Sequence, residues 1–279
     1  MLSCPVTSDF DQHRFIFVGG LPRSGTTFLA QAIARFPGVS DLTGTGVKAD
    51  EGQYLQSVYP QQRDAGGSGR FAYSAKMHIT EASPLVSEAS RVALWDAWSP
   101  YWDTTQPMLL EKTPANLLKM RFLQALYPTS SFVLAIRHPI AQAMALRARG
   151  WTRRPVPVLI HHWLTAHDVM TGDLAHLDRV TVVRYEDLVA EPDRNLEALQ
   201  SYLGLDPEPT GEEFQPGLNE AYFRDWNEGD RLKTLARRTS VAWFESKLRR
   251  YGYSVRSPTP IGPMASDLPA LLPPDDGGR

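Results

Sequence analysis

The chain has 279 residues, of which 42% are hydrophobic and 22% charged, enough apolar material for one full-sized globular core and too much for a disordered chain. Lys and Arg total 29 against 31 Asp and Glu, a formal charge of −2. Bulk electrostatics therefore give no reason to expect nucleic-acid or membrane attraction, and any anion site has to be local. The single cysteine, Cys4, excludes an intrachain disulfide framework and a Cys-rich metal site. The N-terminal MLSCPVTSDFDQHR lacks the basic start and apolar stretch of a signal peptide. No later apolar run approaches the about 20 residues of a membrane span, so the expected location is the cytoplasm.

RFIFVGG (14–20) reads as a β-strand ending in glycines, and GTTFLAQAIARF (25–36) follows with Phe28, Leu29, Ala32, Ile33 and Phe36 at helical spacing. Pro37-Gly38 stops that helix, and 39–50 reads as a loop rich in Gly, Thr and Asp. A short helix is expected at 51–58, a flexible surface excursion at 61–70 and a helix at 83–98. Trp95, Trp98 and Trp102 recur at helical spacing, which favours a core role over an acceptor platform. PMLLEK (107–112) is a second strand, followed by a helix at 115–126.

SFVLAIR (131–137) is the clearest buried strand, with helices expected at 140–149 and 156–170. RVTVVRYEDL (179–188) reads as a fourth strand, and a helix at 193–205 ends on Gly204. A last helix over 231–250 carries an apolar stripe that predicts docking onto the body, and the Pro- and Gly-rich end reads as a loose tail. Alternating strands and helices imply an α/β three-layer sandwich with a mostly parallel central sheet.

The segment Gly20-Leu21-Pro22-Arg23-Ser24-Gly25-Thr26-Thr27 joins the first strand to the first helix, a P-loop-like phosphate-binding turn whose amides and helix N-terminus suit an anion. Against G-x-x-x-x-G-K-[ST] it keeps both glycines and Thr27 but has Thr26 in place of the lysine, with Arg23 as the nearby cation. An ordinary ATPase or GTPase is disfavoured. The strand SFVLAIR ends in Arg137 rather than in the carboxylate that would help hold Mg²⁺, which favours a second phosphate over a metal.

PRSGTT after the first strand, IRHP after a later one and RYEDLVAEP before the next helix, in that order, resemble the sulfotransferases from about Phe15 to Leu205. The resemblance implies a single domain over 1–255 with a tail over 256–279, and a donor, 3'-phosphoadenosine 5'-phosphosulfate, leaving as 3'-phosphoadenosine 5'-phosphate. It implies that Arg23, Ser24, Gly25, Thr26 and Thr27 hold the 5'-phosphosulfate, Arg137 the 3'-phosphate, and that Tyr185 lies near the adenine; a core tyrosine is the plain alternative. The family serine eight residues after the arginine is replaced by Ala145, with Arg147 as a possible substitute. Glu186 and Asp187 read as caps of the next turn.

Sulfuryl transfer needs an in-line nucleophile and neutralisation of charge on the leaving oxygen, and no obligatory metal. The resemblance places Lys112 of EKTPAN at the reaction centre beside Arg23, and gives the general base to a glutamate after the phosphate loop, for which Glu51 is the candidate, with Asp50 and Glu111 adjacent to the two residues. His161, His162 and His167 have no i,i+4 metal spacing and read as helix-surface or core residues, and His138 as a residue that orders its loop. The expected activity is transfer to a hydroxyl, less readily an amine, of a small-molecule or saccharide acceptor, with loops 39–80 and 150–156 forming its site. Two alternatives stay open: a P-loop kinase of small substrates, and a nucleotide-binding protein without chemistry.

Overall fold

The computed structural model describes residues 9–207, 217–228 and 231–271; Cys4 lies outside them. Five strands form one sheet: β1 (Arg14–Gly20), β2 (Val39–Asp41), β3 (Met108–Lys112), β4 (Ser131–Ile136) and β5 (Val180–Arg184). Their order is β2-β3-β1-β4-β5, and every pairing is parallel. Helices α1 (Thr26–Ala34), α2 (Glu88–Trp98), α3 (Met120–Leu126), α4 (Pro139–Ala148) and α5 (Val156–Asp173) come from the first two-thirds of the chain. After β5 come α6 (Tyr185–Ala190), α7 (Pro192–Leu203), α8 (Leu218–Asn227), α9 (Arg231–Ala242) and α10 (Glu245–Arg249).

The two-residue period of the strands builds the three layers. Phe15 and Phe17 of β1, with Phe132, Leu134 and Ile136 of β4, face Leu94, Trp98, Leu123, Ile160 and Trp163 on one side. Ile16 and Val18, with Val133 and Ala135, face Leu29 and Ile33 of α1 and Leu196, Leu199 and Leu203 of α7 on the other. Each such side chain, fully buried, contributes about 1.5–3 kcal/mol of transfer free energy. The chain crosses from one side of β1 to the other between β3 and β4, so the crevice at the carboxyl ends of β1 and β4 is the switch point where doubly wound sheets hold ligands.

Several expectations change. Val39–Asp41, read as loop, is an edge strand in register with Met108–Leu110; one apolar residue in three gives no period, and the pairing comes from β3. The fourth expected strand stops at Arg184, and Tyr185 opens a helix whose first turn holds Glu186 and Asp187, where the helix N-terminus favours carboxylates. The short helix expected at 51–58 is instead a single 3₁₀ turn, Gly52–Tyr54, preceded by another at Lys48–Asp50. Residues 61–70 do lie largely at the surface but are ordered: a 3₁₀ turn at Gln62–Ala65 carries a capping box from Gln61 and Asp64. Gly66, Gly67 and Gly69, all at positive φ, then fold the chain back so that Phe71 becomes fully buried.

The last helix is two, α9 and α10, and α8 precedes them unforeseen. Leu232 and Leu235 of α9 are 79% and 63% exposed, so the expected stripe does not dock there; Val241, Phe244 and Leu248 do the anchoring. The described part of the Pro-rich end is not loose, because Ile261 N–H donates to Gly252 O, Ala265 N–H to Arg250 O and Leu271 N–H to Val182 O. Trp98 and Trp102 are core residues whose indoles donate to Gly52 O and Leu110 O. No described helix is long and apolar enough to cross a membrane.

Gly20 closes β1 at φ 147°, and a Cβ there would stand 2.5 Å from Ala135 O and 2.9 Å from Thr26 Cγ2. Gly20→Ala is expected to lower the stability by about 2 kcal/mol or more, read from the midpoint of chemical unfolding; an unmoved midpoint would contradict the close approach of the two strands' ends.

Candidate functional site

The loop after β1 is shaped by two left-handed residues, Arg23 at φ 73° and Gly25 at φ 93°. Ser24 N–H closes a turn on Leu21 O at 3.0 Å, and the amides that follow open α1, an arrangement that concentrates donors on one concave side. Two side chains fasten it, Arg137 just past the end of β4 and Gln142 in α4. Gln142 Nε2 donates to Pro22 O at 2.7 Å, and Arg137 Nη1 donates to Arg23 O at 3.1 Å. A Cβ on Gly25 would come within 2.8 Å of the Tyr185 ring, so only glycine admits the tyrosine this close.

Arg137 is 3% exposed. Its Nε donates to Asn219 Oδ1 at 2.9 Å, and its guanidinium carbon lies 4.2 Å from the Tyr185 ring centroid. Burial, only partly offset by Tyr185 and Glu186, pulls its pKa below the usual value. Glu186, expected as a cap, is instead the hub behind this arginine. Its carboxylate accepts from the His138 backbone N–H at 2.9 Å, from Tyr253 Oη at 2.7 Å and from Asn219 Nδ2. Asp187 pairs with Arg184 through both oxygens. Tyr185 is part of the site floor and not a core tyrosine, since it lines the cleft.

Three buried donors at this place have no partner among the described residues: Arg23 Nε, Ser24 Oγ and Arg137 Nη2. Such groups cost about 1–3 kcal/mol each when unsatisfied, and phosphate-type oxygens are the partners that two guanidinium nitrogens and a hydroxyl suit. Arg23, Thr26 and Thr27, Arg137 and Tyr185 line one cleft of about 580 Å³, and Glu51 lies on its wall.

Glu51 is 7% exposed. Gln53 Nε2 donates to its Oε2 at 2.6 Å, and Lys112 Nζ stands 3.6 Å from its Oε1. Burial raises the carboxyl above the usual glutamate range, and the Lys112 charge works against that rise. Lys112 was expected at the reacting centre. Its Nζ donates to Ala49 O at 2.8 Å, and it lines a smaller neighbouring cavity of about 130 Å³. Ala49 and Asp50 hold consecutive left-handed conformations, φ 55° and 47°, and Asp50 accepts from Thr45 N–H at 3.0 Å. Strain of this kind persists only where the surroundings fix it. Glu111 is wholly buried and accepts from Gly52 N–H, Thr113 Oγ1 and Asn116 Nδ2 at 2.9, 2.6 and 2.6 Å, which makes it a clasp beneath the Glu51 loop.

Ala145 is fully buried in α4, and Arg147 is exposed with its Nη1 donating to Arg154 O at 2.6 Å. His138 donates from Nε2 to Ser254 O and accepts Ile140 N–H at Nδ1; burial holds it neutral, its pKa pulled down to about 4. His162 accepts Ala72 N–H and His167 stacks on Trp163, both inside the core. Among the described residues no three His, Cys, Asp or Glu side chains gather as a metal cage. Lys48, Gln62 and Trp151, which also line the cleft, lie in the loops 39–80 and 150–156 expected to form the acceptor site, but were not singled out by residue. The available signal was one tryptophan in an arginine-rich loop directly after the β4–α4 unit.

The sequence model of the sulfotransferase family matches residues 15–209. The chain belongs to that family. It is 25% identical over 200 residues to protein-tyrosine sulfotransferase 2 of Gallus gallus, covering 68% of this chain and 51% of that protein. It is 26% identical over 260 residues to the nodulation protein NoeE of Sinorhizobium fredii, covering 81% of this chain and 59% of that protein. This family member thus spans between about half and three-fifths of the length of the curated relatives it matches. Among solved structures, the sulfotransferase domain of the Synechococcus PCC 7002 olefin synthase aligns at TM-score 0.48 and 17% identity, over 82% of this chain and 94% of that domain.

The Glu51 environment is open to direct test. In a carbon-detected titration the Glu51 carboxyl is expected to titrate above 4.5, the ordinary value, and Lys112→Met is expected to push the midpoint further up, since it removes the favourable charge and leaves the burial. A midpoint at or below the ordinary value in the unmodified protein would show that the carboxylate is solvated.

Proposed function

We propose that this protein transfers a sulfuryl group from 3'-phosphoadenosine 5'-phosphosulfate to a hydroxyl, less readily an amine, of a small-molecule or saccharide acceptor. The observation that carries the reading is the trio of unpartnered buried donors, Arg23 Nε, Ser24 Oγ and Arg137 Nη2, in a cleft where Arg137 already bonds the Arg23 carbonyl. Two cations in contact through one loop suit a ligand with anions at both ends of a nucleoside.

The donor supplies the transferable sulfuryl group, and the rest is work for the chain. Arg23, Ser24 and the amides from Gly25 to Thr27 are suited to the 5' end, where charge grows on the leaving oxygen as the bond breaks. Arg137 is suited to the 3'-phosphate and Tyr185 to the nucleoside beside it. Ala145 offers no hydroxyl, which leaves Arg137 with a larger share of that phosphate. Glu51 in its ionised form accepts the acceptor's proton. Lys112 and Gln53 hold that carboxylate in place, so the lysine acts through Glu51.

The kinase alternative requires a loop lysine and a metal-holding carboxylate at the positions of Thr26 and Arg137. Calorimetry separates the two readings: 3'-phosphoadenosine 5'-phosphate is expected to bind at least about 100-fold more tightly than ATP with Mg²⁺, and Arg137→Ala to remove about two orders of magnitude of that affinity. The reverse order of affinities would overturn the proposal.

Label transfer from the donor across a hydroxyl library tests the base. The rate is expected to rise with pH as Glu51 ionises, with its midpoint above the ordinary glutamate value. Glu51→Gln is expected to slow transfer about 10²- to 10⁴-fold, to abolish that acid limb and to leave nucleotide affinity unchanged. Undiminished transfer in this variant would remove Glu51 from the role.

A further inference from the structure

The mouth of the cleft carries a charge pattern that the donor does not use. From the last turn of α4 to the start of α5 the chain reads RARGWTRR, so that Arg147, Arg149, Arg153 and Arg154 flank Trp151 in sequence in a protein whose formal charge is −2. Trp151 lines the cleft and is 40% exposed. Lys48 Nζ lies 4.0 Å from its ring centroid, and the Arg23 guanidinium carbon lies 5.8 Å from it. Lys48 belongs to a separate segment of the wall, next to the strained Ala49 and the base candidate Glu51. The Arg147 bond to Arg154 O draws the arginine loop into a closed turn. Arg149 and Arg153 are exposed, and among the described residues neither they nor Lys48 have a carboxylate within ion-pair distance.

An exposed tryptophan face beside unpaired cations is a composite recognition surface. The ring offers a flat apolar platform, and the ammonium over it is free to turn to an oxyanion at the platform's edge. The donor's anions have their own partners deeper in the cleft, at Arg23, Ser24 and Arg137. A cleft of about 580 Å³ that must also hold a nucleotide leaves room for a ring-sized group. Resting on the sulfuryl-transfer reading above, we propose that the acceptor is a small ring-bearing molecule with an oxyanionic substituent, a phosphate or a carboxylate. Its ring stacks on Trp151, and its anion is held by Lys48 and the Arg149–Arg153 pair.

The test first loads the protein with 3'-phosphoadenosine 5'-phosphate and then titrates phenyl phosphate against benzyl alcohol, its uncharged counterpart, by calorimetry. Phenyl phosphate is expected to bind at least about tenfold more tightly than the alcohol. The double variant Arg149→Ala/Arg153→Ala, and separately Trp151→Ala, are expected to weaken it roughly five- to tenfold while nucleotide affinity moves less than about twofold. Arg149→Lys/Arg153→Lys is expected to restore most of the loss, which a merely structural role for the loop would not do.

Equal binding of the two probes to the nucleotide-loaded protein would overturn the proposal and leave the donor reading standing. Parallel losses of nucleotide and phenyl phosphate affinity would assign the rim to the donor and overturn it as well. A tyrosine peptide flanked by aspartates that binds more tightly than phenyl phosphate would assign the rim to an acidic polypeptide instead. Failure of the nucleotide to bind at the outset would sink the donor reading, and the rim proposal with it.

Discussion

A guanidinium buried at the end of a central strand sets the terms for everything around it. Charge removed from water is costly unless it is paired and hydrogen-bonded, and Arg137 at 3% exposure meets that cost by several means at once. Asn219 takes Nε, the Arg23 carbonyl takes Nη1, the Tyr185 ring lies beneath, and Glu186 supplies the countercharge from behind. What remains is Nη2, a donor with no acceptor among the described residues. The residue is thereby a structural rivet that still presents one uncommitted donor.

Preorganisation follows from the same contacts. The phosphate loop is not left to find its shape, because Arg137 and Gln142 hold the carbonyls of Arg23 and Pro22, and Tyr185 presses on Gly25 where no Cβ intervenes. The Trp163 indole in turn donates to Arg137 O at 3.0 Å, so a long helix of the opposite layer fixes the end of the strand. On the other wall Glu51 is held by Gln53 and Lys112 and underlain by the Glu111 clasp. Groups fixed before a ligand arrives need little reorganisation when charge develops. Lys112 is tied to that wall as well, its Nζ donating to Ala49 O.

The sequence disclosed most of what is periodic and little of what is not. β1 and β4, with four or more apolar residues in a row, and α7 with its Gly204 stop were readable because burial on two faces or on one stripe leaves a pattern. β2 was not, since its three residues pair only because β3 presents an edge. The ladder of 3₁₀ turns from Lys48 to Met77 was not either, since its order comes from single plugs such as Phe71 and Met77 and from glycines taken for flexibility. At the candidate site, Arg23, Ser24 and Arg137 were legible from the loop and strand-end chemistry. Lys48 and Trp151 come together only in three dimensions, and the Glu186 hub was hidden because its partners His138, Asn219 and Tyr253 lie far apart in the chain.

The two outer margins of the sheet are finished in different ways. β2 offers only three residues, too short a template for another strand to pair with stably. β5 is longer, and there residues 269–271 run alongside: Val182 N–H donates to Pro269 O at 2.8 Å and Val182 O accepts from Leu271 at 3.0 Å. A proline-bounded strip that cannot itself be extended as a strand is a guard against intermolecular sheet growth. Proteolytic trimming of that strip would therefore leave the cleft's own residues untouched and yet bare the β5 margin, changing the protein's colloidal behaviour.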